Sequence, residues 1–140
     1  MRLLLSLLTA AAILFSIVAC SDSFKPTTDN VLGDYSVQTF QATDTSGTID
    51  WVQRGATLTV SLGPFGVLSG HLVAPGGAEG GGDLDQLLIG DWTLSGDIIT
   101  FSMPAVDSFV DEMPWIASEN RLSGDHTFGD GTRIRVVLQK

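Results

Sequence analysis

The only cysteine of the chain, Cys20, ends an apolar stretch at the amino terminus and is the residue best placed for covalent chemistry. Arg2 gives this stretch a positively charged start, and an apolar run over residues 3–18 follows. The run is too short for a stable membrane span, and Ala19 directly before the cysteine is typical of a signal cleavage site. Cleavage there would free the thiol for a diacylglyceryl thioether and the new amine for a third acyl chain. The sequence therefore predicts a signal peptide over residues 1–19 and lipid attachment at Cys20.

The residues after the cysteine indicate where in the cell the mature protein is held. Each buried methylene contributes about 0.8 kcal/mol, so two or three acyl chains would hold a domain firmly at a bilayer. The segment resembles lipoproteins of Gram-negative bacteria, in which the second mature residue directs sorting. Ser21 stands there instead of Asp, and the resemblance implies an outer-membrane lipoprotein that faces the periplasm. Residues 20–30 are polar and contain Pro26, so they predict a lipidated, flexible tether.

Neither the histidines nor the acidic loop residues have the spacing of a metal site. No His or Cys lies at ligand spacing from His71 or His126. The carboxylates of Glu79, Asp83 and Asp85 lack the alternating order of a calcium loop. We expect no metal ion and no other cofactor.

The remaining carboxylates do not indicate an active site. Asp107, Asp111 and Glu112 are close in sequence, but on the strand predicted there Asp111 and Glu112 would point to opposite faces. No nucleophile elbow, phosphate loop or dinucleotide fingerprint is present in the sequence. We therefore expect a noncatalytic protein with no catalytic residues.

The charge balance excludes one class of partner. Of seven basic residues, Arg2 leaves with the signal peptide, so sixteen acidic residues face six basic ones and the mature formal charge is −10. Nucleic-acid binding needs a cationic surface, which this composition does not provide. The same acidity predicts a domain that stands off from an anionic membrane on its tether.

Alternation of apolar and polar residues between glycine-rich turns predicts an all-β domain over residues 31–140. In residues 57–62, three aliphatic side chains alternate with three hydroxyls, and the continuation of this register turns His71 to solvent. Short connections favour an up-and-down antiparallel meander that closes into a barrel of about eight strands. The segment 47–53 fits a strand or one helical turn equally well, and the glycine-rich residues 75–85 predict a mobile loop. The predicted strands are 33–42, 47–53, 57–62, 66–74, 87–95, 98–103, 109–118, 121–128 and 132–139.

Three hairpins can be given a register, because a slip by one residue would turn apolar side chains to the wrong face. A two-residue Gly96-Asp97 loop pairs Trp92 with Phe101 and Leu94 with Ile99. A two-residue Glu119-Asn120 loop pairs Trp115 with Gly124. A three-residue loop with Gly131 in the left-handed region pairs His126 with Ile134.

Three segments together resemble small lipid-anchored bacterial members of the lipocalin-like branch of the calycins. They are residues 31–35 (VLGDY), residues 88–101 (LIGDWTLSGDIITF) and the final hairpin from Asn120 to Leu138. In typical lipocalins an aromatic residue of the first strand packs against an arginine of the last strand at the closed barrel base. The resemblance implies that Tyr35 takes the aromatic position, with Arg133 or Arg135 as its cation.

An eight-stranded barrel is either filled by its own side chains or holds one small ligand. The predicted inward residues are bulky, which favours a filled core. If a pocket exists at the open end, the loop 75–85 is its predicted lid and the following side chains its predicted lining: Trp92, Phe101, Trp115, His126 and Phe128.

Two functions remain open from the sequence. The first is a lipid-anchored barrel that binds or carries a small apolar ligand, and the second is a filled barrel that serves as a structural or protein-interaction module of the cell envelope. A connected void bordered by Trp92, Trp115 and Phe128 would favour the first. A packed interior with an exposed aromatic patch, for which Trp51 and Phe65 are the candidates, would favour the second. The protein partner is not predicted.

Overall fold

The computed structural model describes residues 23–140, in which eight antiparallel strands close into a barrel and one further strand extends it. The predicted all-β fold and its closure are confirmed. Residues 1–22, including the predicted signal peptide and Cys20, lie outside the described residues. The strands are β1 (Gly33–Asp44), β2 (Gly47–Asp50), β3 (Thr57–Leu62), β4 (Val67–Ala74), β5 (Leu84–Ser95), β6 (Ile98–Ser102), β7 (Trp115–Ser118), β8 (Arg121–Thr127) and β9 (Arg133–Gln139).

Strand β1 closes the barrel. One edge pairs with β3 in its first half and with β2 in its second half, while the other edge pairs with β9. The β9 register shifts between Val37 and Thr39, which marks a β-bulge. The bulge changes which residues face inward, so Tyr35 before it and Phe40 after it are both buried, although they are five positions apart and a regular strand would turn them to opposite faces.

The three predicted hairpin registers are confirmed. Trp92 pairs with Phe101 and Leu94 with Ile99. The next two hairpins pair Trp115 with Gly124 and His126 with Ile134. Gly131 has a φ of 88°, which the three-residue turn requires.

The predicted strand 109–118 is wrong in its first half. Residues Phe109–Glu112 form a short helix, α1, because the Ser108 hydroxyl accepts a hydrogen bond from the Val110 amide at 3.4 Å. Pro114 then favours an extended chain before β7 begins. The segment 47–53, for which a strand and a helical turn were both open, contains both a strand and a turn. Strand β2 ends at Asp50, and a turn over residues 51–55 follows.

The strand directions define two ends of the barrel. The base carries residues 23–32, the 3₁₀ turn Pro64–Gly66, the β5–β6 and β7–β8 turns and the last residue, Lys140. The top carries the β1–β2 and β8–β9 turns, residues 51–55, the loop 75–83 and α1. At the top, Val110 and Met113 are fully buried.

Side chains occupy the barrel interior. Buried aliphatic and aromatic groups from every barrel strand share one core cluster. Gly124 shows how tightly they pack, since a Cβ there would overlap the Met113 Cε and lie 3.4 Å from the Trp115 ring. Each of the following side chains is at most 4 % exposed: Tyr35, Leu58, Val60, Leu62, Leu68, Leu72, Leu88, Trp92, Ile99, Phe101, Trp115, Leu122, Val136 and Leu138.

Two inward-facing glycines should differ sharply in their tolerance of alanine. A Cβ at Gly90 would overlap the backbone carbonyl of Ser102, which cannot move without β6, whereas the atom it would overlap at Gly124 is the end of the flexible Met113 side chain. We expect Gly90→Ala to lower the free energy of unfolding by about 3 kcal/mol and Gly124→Ala by about 1 kcal/mol. Urea denaturation measures both, and Gly129→Ala, where the added Cβ meets nothing, is the control. Equal losses at positions 90 and 124 would contradict this packing.

Candidate functional site

The predicted ligand-lining residues lie at different levels of the barrel. The rings of Phe101 and Trp115 lie 5.5 Å apart inside the filled core. Trp92 is directed toward the base, where its Nε1 donates to the Gly63 carbonyl at 2.9 Å. His126 and Phe128 pack edge to face at the top, with ring centroids 4.8 Å apart. Trp92, Phe101 and Trp115 therefore belong to the filled core, Phe128 packs against its upper end, and His126 contacts Phe128.

At the top, a shallow depression of about 200 Å³ lies beside α1 and the β8–β9 turn. Phe109 and Glu112 form one wall, and Phe128 and Ile134 form another. The cover over this part of the barrel is α1, whereas the lid was predicted at residues 75–85. Hydrogen bonds within residues 74–83, including Gly76 to the Asp83 carboxylate at 2.9 Å, hold that loop in turns of its own.

At the base, a half-open groove of about 640 Å³ lies between the N-terminal segment, the 3₁₀ turn and the end of β5. Leu32, Phe65, Trp92 and Leu94 give it apolar walls. The Phe65 side chain is fully exposed, at 102 %. Its backbone has φ 59° and ψ 24°, in the left-handed region that a bulky residue adopts only at a cost.

Hydrogen bonds hold the N-terminal segment against the base of the barrel. The buried Tyr35 hydroxyl donates to the Val31 carbonyl at 2.7 Å. The Lys140 Nζ donates to the Asn30 carbonyl at 3.0 Å and lies 5.3 Å from the centre of the Tyr35 ring. We name these four residues the base clasp. Burial raises the pKa of the Tyr35 phenol.

The cation that contacts Tyr35 is therefore Lys140, in place of Arg133 or Arg135. Both arginines lie on the half of β9 nearest the top, because β9 runs from top to base. Arg133 donates to both carboxylate oxygens of Asp125, at 2.7 and 2.6 Å. These hydrogen bonds and the positive charge of Arg133 lower the pKa of the Asp125 carboxyl.

The N-terminal segment differs from the predicted flexible tether over its second half. The Asn30 side chain bonds the Thr27 amide at 2.7 Å and the Lys25 carbonyl at 2.9 Å. The Val31 amide donates to the Thr27 carbonyl. Residues 25–31 thus form a hydrogen-bonded turn that the base clasp fixes to the barrel.

The two exposed aromatic candidates do not form one patch. Trp51 lies at the top, half-buried against Phe40 with ring centroids 6.1 Å apart, and Arg54 stacks on it at 5.6 Å. Phe65 lies at the base. The proposed pairing of Trp51 with Phe65 is therefore wrong.

The other polar candidates are dispersed over the barrel. His71 points outward as predicted, and its Nε2 lies 2.6 Å from the Asp85 carboxylate, with both side chains exposed. Asp111 and Glu112 lie on α1, and the Asp107 carbonyl accepts a hydrogen bond from Gln86. Within residues 23–140, no three His, Cys, Asp or Glu side chains are grouped closely enough to hold a metal ion.

Comparison with known proteins gives no relative, since no family model, curated protein or solved structure matches the chain. Among residues 23–140, no helix has the length and apolar character needed to cross a membrane.

Sequence reasoning missed the Lys140 contact at the base but included Phe65 among the exposed aromatic candidates. Lys140 is the last residue, and only the closure of the barrel brings it to Asn30, 110 positions away in sequence. Phe65 carried a local signal, because it lies inside Gly63-Pro64-Phe65-Gly66, a run typical of a tight turn.

Replacing Tyr35 by Phe tests the base clasp. The Val31 carbonyl would lose its buried partner, so we expect the free energy of unfolding to fall by about 1–3 kcal/mol. Because the folded-state pKa is raised, the unfolded chain ionises first, and this group's stabilisation is lost as the pH rises above about 10. Tyr35 is the only tyrosine.

Urea denaturation at pH 7 and at about pH 11 therefore measures both effects. We expect the stability of the wild-type protein to fall more steeply over this interval than that of Tyr35→Phe. Identical slopes for the two proteins would mean that Tyr35 ionises freely.

Proposed function

We propose that this chain is a noncatalytic, lipid-anchored module of the bacterial cell envelope, with its filled barrel as a scaffold that presents outer surfaces to another envelope component. The observation that carries this proposal is the occupied interior. Trp115 is fully buried and Phe101 is 2 % exposed, at the positions where a carried ligand would need space. Trp92 and Phe128 lie toward opposite ends of the barrel, with this packed core between them.

The anchor and the location belong to the same proposal. Cys20 carries the lipid, and Ser21 as the second mature residue favours the outer membrane, with the domain facing the periplasm. The proposal includes the lipocalin-like assignment, which the closed eight-stranded barrel supports. A shared barrel does not carry a function with it, so the assignment adds no ligand.

Binding of a small apolar ligand is the second candidate function, and the groove at the base is the observation that favours it. Its walls combine Leu32, Phe65, Trp92 and Leu94 outside the filled core. A ligand there would rest on the end of the barrel and would remain partly in contact with solvent.

Native mass spectrometry of the domain from Ser21 onward, which carries no acyl anchor and can be purified without detergent, distinguishes these functions. We expect no lipid-sized mass on this domain with the wild-type sequence. A mass that is present on the wild-type protein and absent from Phe65→Ser would place an apolar ligand in the groove. A mass retained by both proteins would contradict the filled interior.

A variant with a cavity in the core, compared with the wild-type protein, shows whether the wild-type core has room for a ligand. Phe101→Ala removes a ring of benzene size from a fully packed site, and such apolar cavities of about 150 Å³ bind benzene. We expect benzene to stabilise Phe101→Ala against urea and to leave the wild-type protein unchanged. Leu122→Ala, tested with xenon, is the smaller variant if Phe101→Ala does not fold.

The anchor is tested by Cys20→Ser. Without the thiol no thioether can form, so the protein should leave the detergent phase on phase separation in Triton X-114, and mass spectrometry should show no added acyl chains. An unchanged detergent-phase fraction of the mature form would contradict lipid attachment at Cys20.

A further inference from the structure

The described chain begins beside the base of the barrel. The turn over residues 25–31 is fixed there by the base clasp, and Thr28 and Asp29 line the same groove as Phe65. Whatever precedes Lys25 therefore starts from this end.

Chain length decides which end of the barrel can face a membrane attached at Cys20. Cys20 precedes Lys25 by five residues, which span at most about 18 Å when fully extended. Strand β1 has 12 residues, so base and top lie roughly 40 Å apart along it. The tether is too short to bring the top to the bilayer while the turn stays on the base.

A base that faces the membrane explains the exposure and the backbone strain of Phe65. Its ring is fully exposed and therefore gains nothing from the barrel, yet its backbone holds a conformation that favours glycine. Val67, which follows the same turn, is also exposed, at 54 %. A strained, solvent-exposed aromatic residue is accounted for if its partner lies outside the chain.

The distribution of charge agrees with this orientation. At the base, three cations, Lys25, Arg121 and Lys140, stand against five carboxylates, Asp29, Asp34, Asp91, Asp97 and Glu119. The top is more acidic, because three cations, Arg54, Arg133 and Arg135, stand there against ten carboxylates: Asp44, Asp50, Glu79, Asp83, Asp85, Asp107, Asp111, Glu112, Asp125 and Asp130. An anionic lipid surface therefore repels the top more strongly than the base.

We propose that the base rests on the bilayer that holds the lipid anchor, with Phe65 in contact with the boundary between headgroups and acyl chains. The inference rests on the lipid attachment proposed above. It replaces the expectation from net charge that the domain stands off from the membrane, because the charge is concentrated at the opposite end.

Two tryptophan reporters test the contact. Phe65→Trp places an indole at the base, and Leu87→Trp places one on the outer face of β5, where Leu87 is 63 % exposed. Each acylated mature protein is reconstituted into vesicles of phosphatidylethanolamine and phosphatidylglycerol, with and without bromine on the upper acyl chain. The change in emission is compared with that of the wild-type protein, which carries the same native tryptophans.

We expect bromine to reduce the added emission of Phe65→Trp about twofold, since an apolar group at the interface is buried about 5–10 Å into the boundary between headgroups and acyl chains and so reaches the upper acyl chain. The added emission of Leu87→Trp should not change. Equal quenching of both reporters, or quenching of Leu87→Trp alone, would overturn the orientation, and so would the absence of quenching in both.

Two further measurements separate the causes of failure. Flotation of the wild-type protein with the vesicles reports the anchor, so protein that stays at the bottom overturns the lipid attachment and the inference together. Phe65→Gly should float equally and unfold at the same urea concentration as the wild-type protein or a higher one. A large loss of stability in Phe65→Gly would show that the ring serves the fold, and would overturn the membrane role.

Discussion

The pairing of β1 with β9 is the constraint on which this structure depends. It joins residues 90 or more positions apart and removes both free edges of the meander. The bulge between Val37 and Thr39 lets a single strand contribute Tyr35 to the base and Phe40 to the top. The same pairing sets Lys140 beside Asn30, so the contacts that close the base exist only because the sheet closes.

Closure also fixes how much room the interior offers. An eight-stranded barrel has space for side chains or for one small ligand, and here tryptophan and phenylalanine rings take that space together with aliphatic groups. At the top, Val110 of α1 and Met113, which follows the helix, add to the core, and the Trp115 indole donates to the Val110 carbonyl at 2.9 Å. With the interior occupied, recognition of another molecule falls to the outer surface and the two ends.

The fold was largely predictable because its determinants are local. The alternation of apolar and polar residues predicted the strands. The turn residues Gly96-Asp97, Glu119-Asn120 and Gly131 predicted the registers of three hairpins, which the structure confirms. Helix α1 was missed because Phe109, Val110 and Met113 suit a strand equally well, and only the Ser108 cap and the space above Trp115 favour a helical turn. The site was less predictable, since the clasp joins residues far apart in sequence and the groove depends on how the N-terminal turn docks.

The base clasp determines how a lipid attached at Cys20 would orient the barrel. A lipid on a freely jointed segment would let the barrel turn in any direction, and overall charge would then set its average orientation. The hydrogen bonds of Tyr35 and Lys140 to the backbone of residues 30 and 31 remove that freedom at the carboxyl-terminal end of the proposed tether. Attachment at Cys20 would then fix orientation as well as location, with Phe65 toward the lipid and the acidic top toward the periplasm. In this orientation the top would be the surface that a partner in solution could reach.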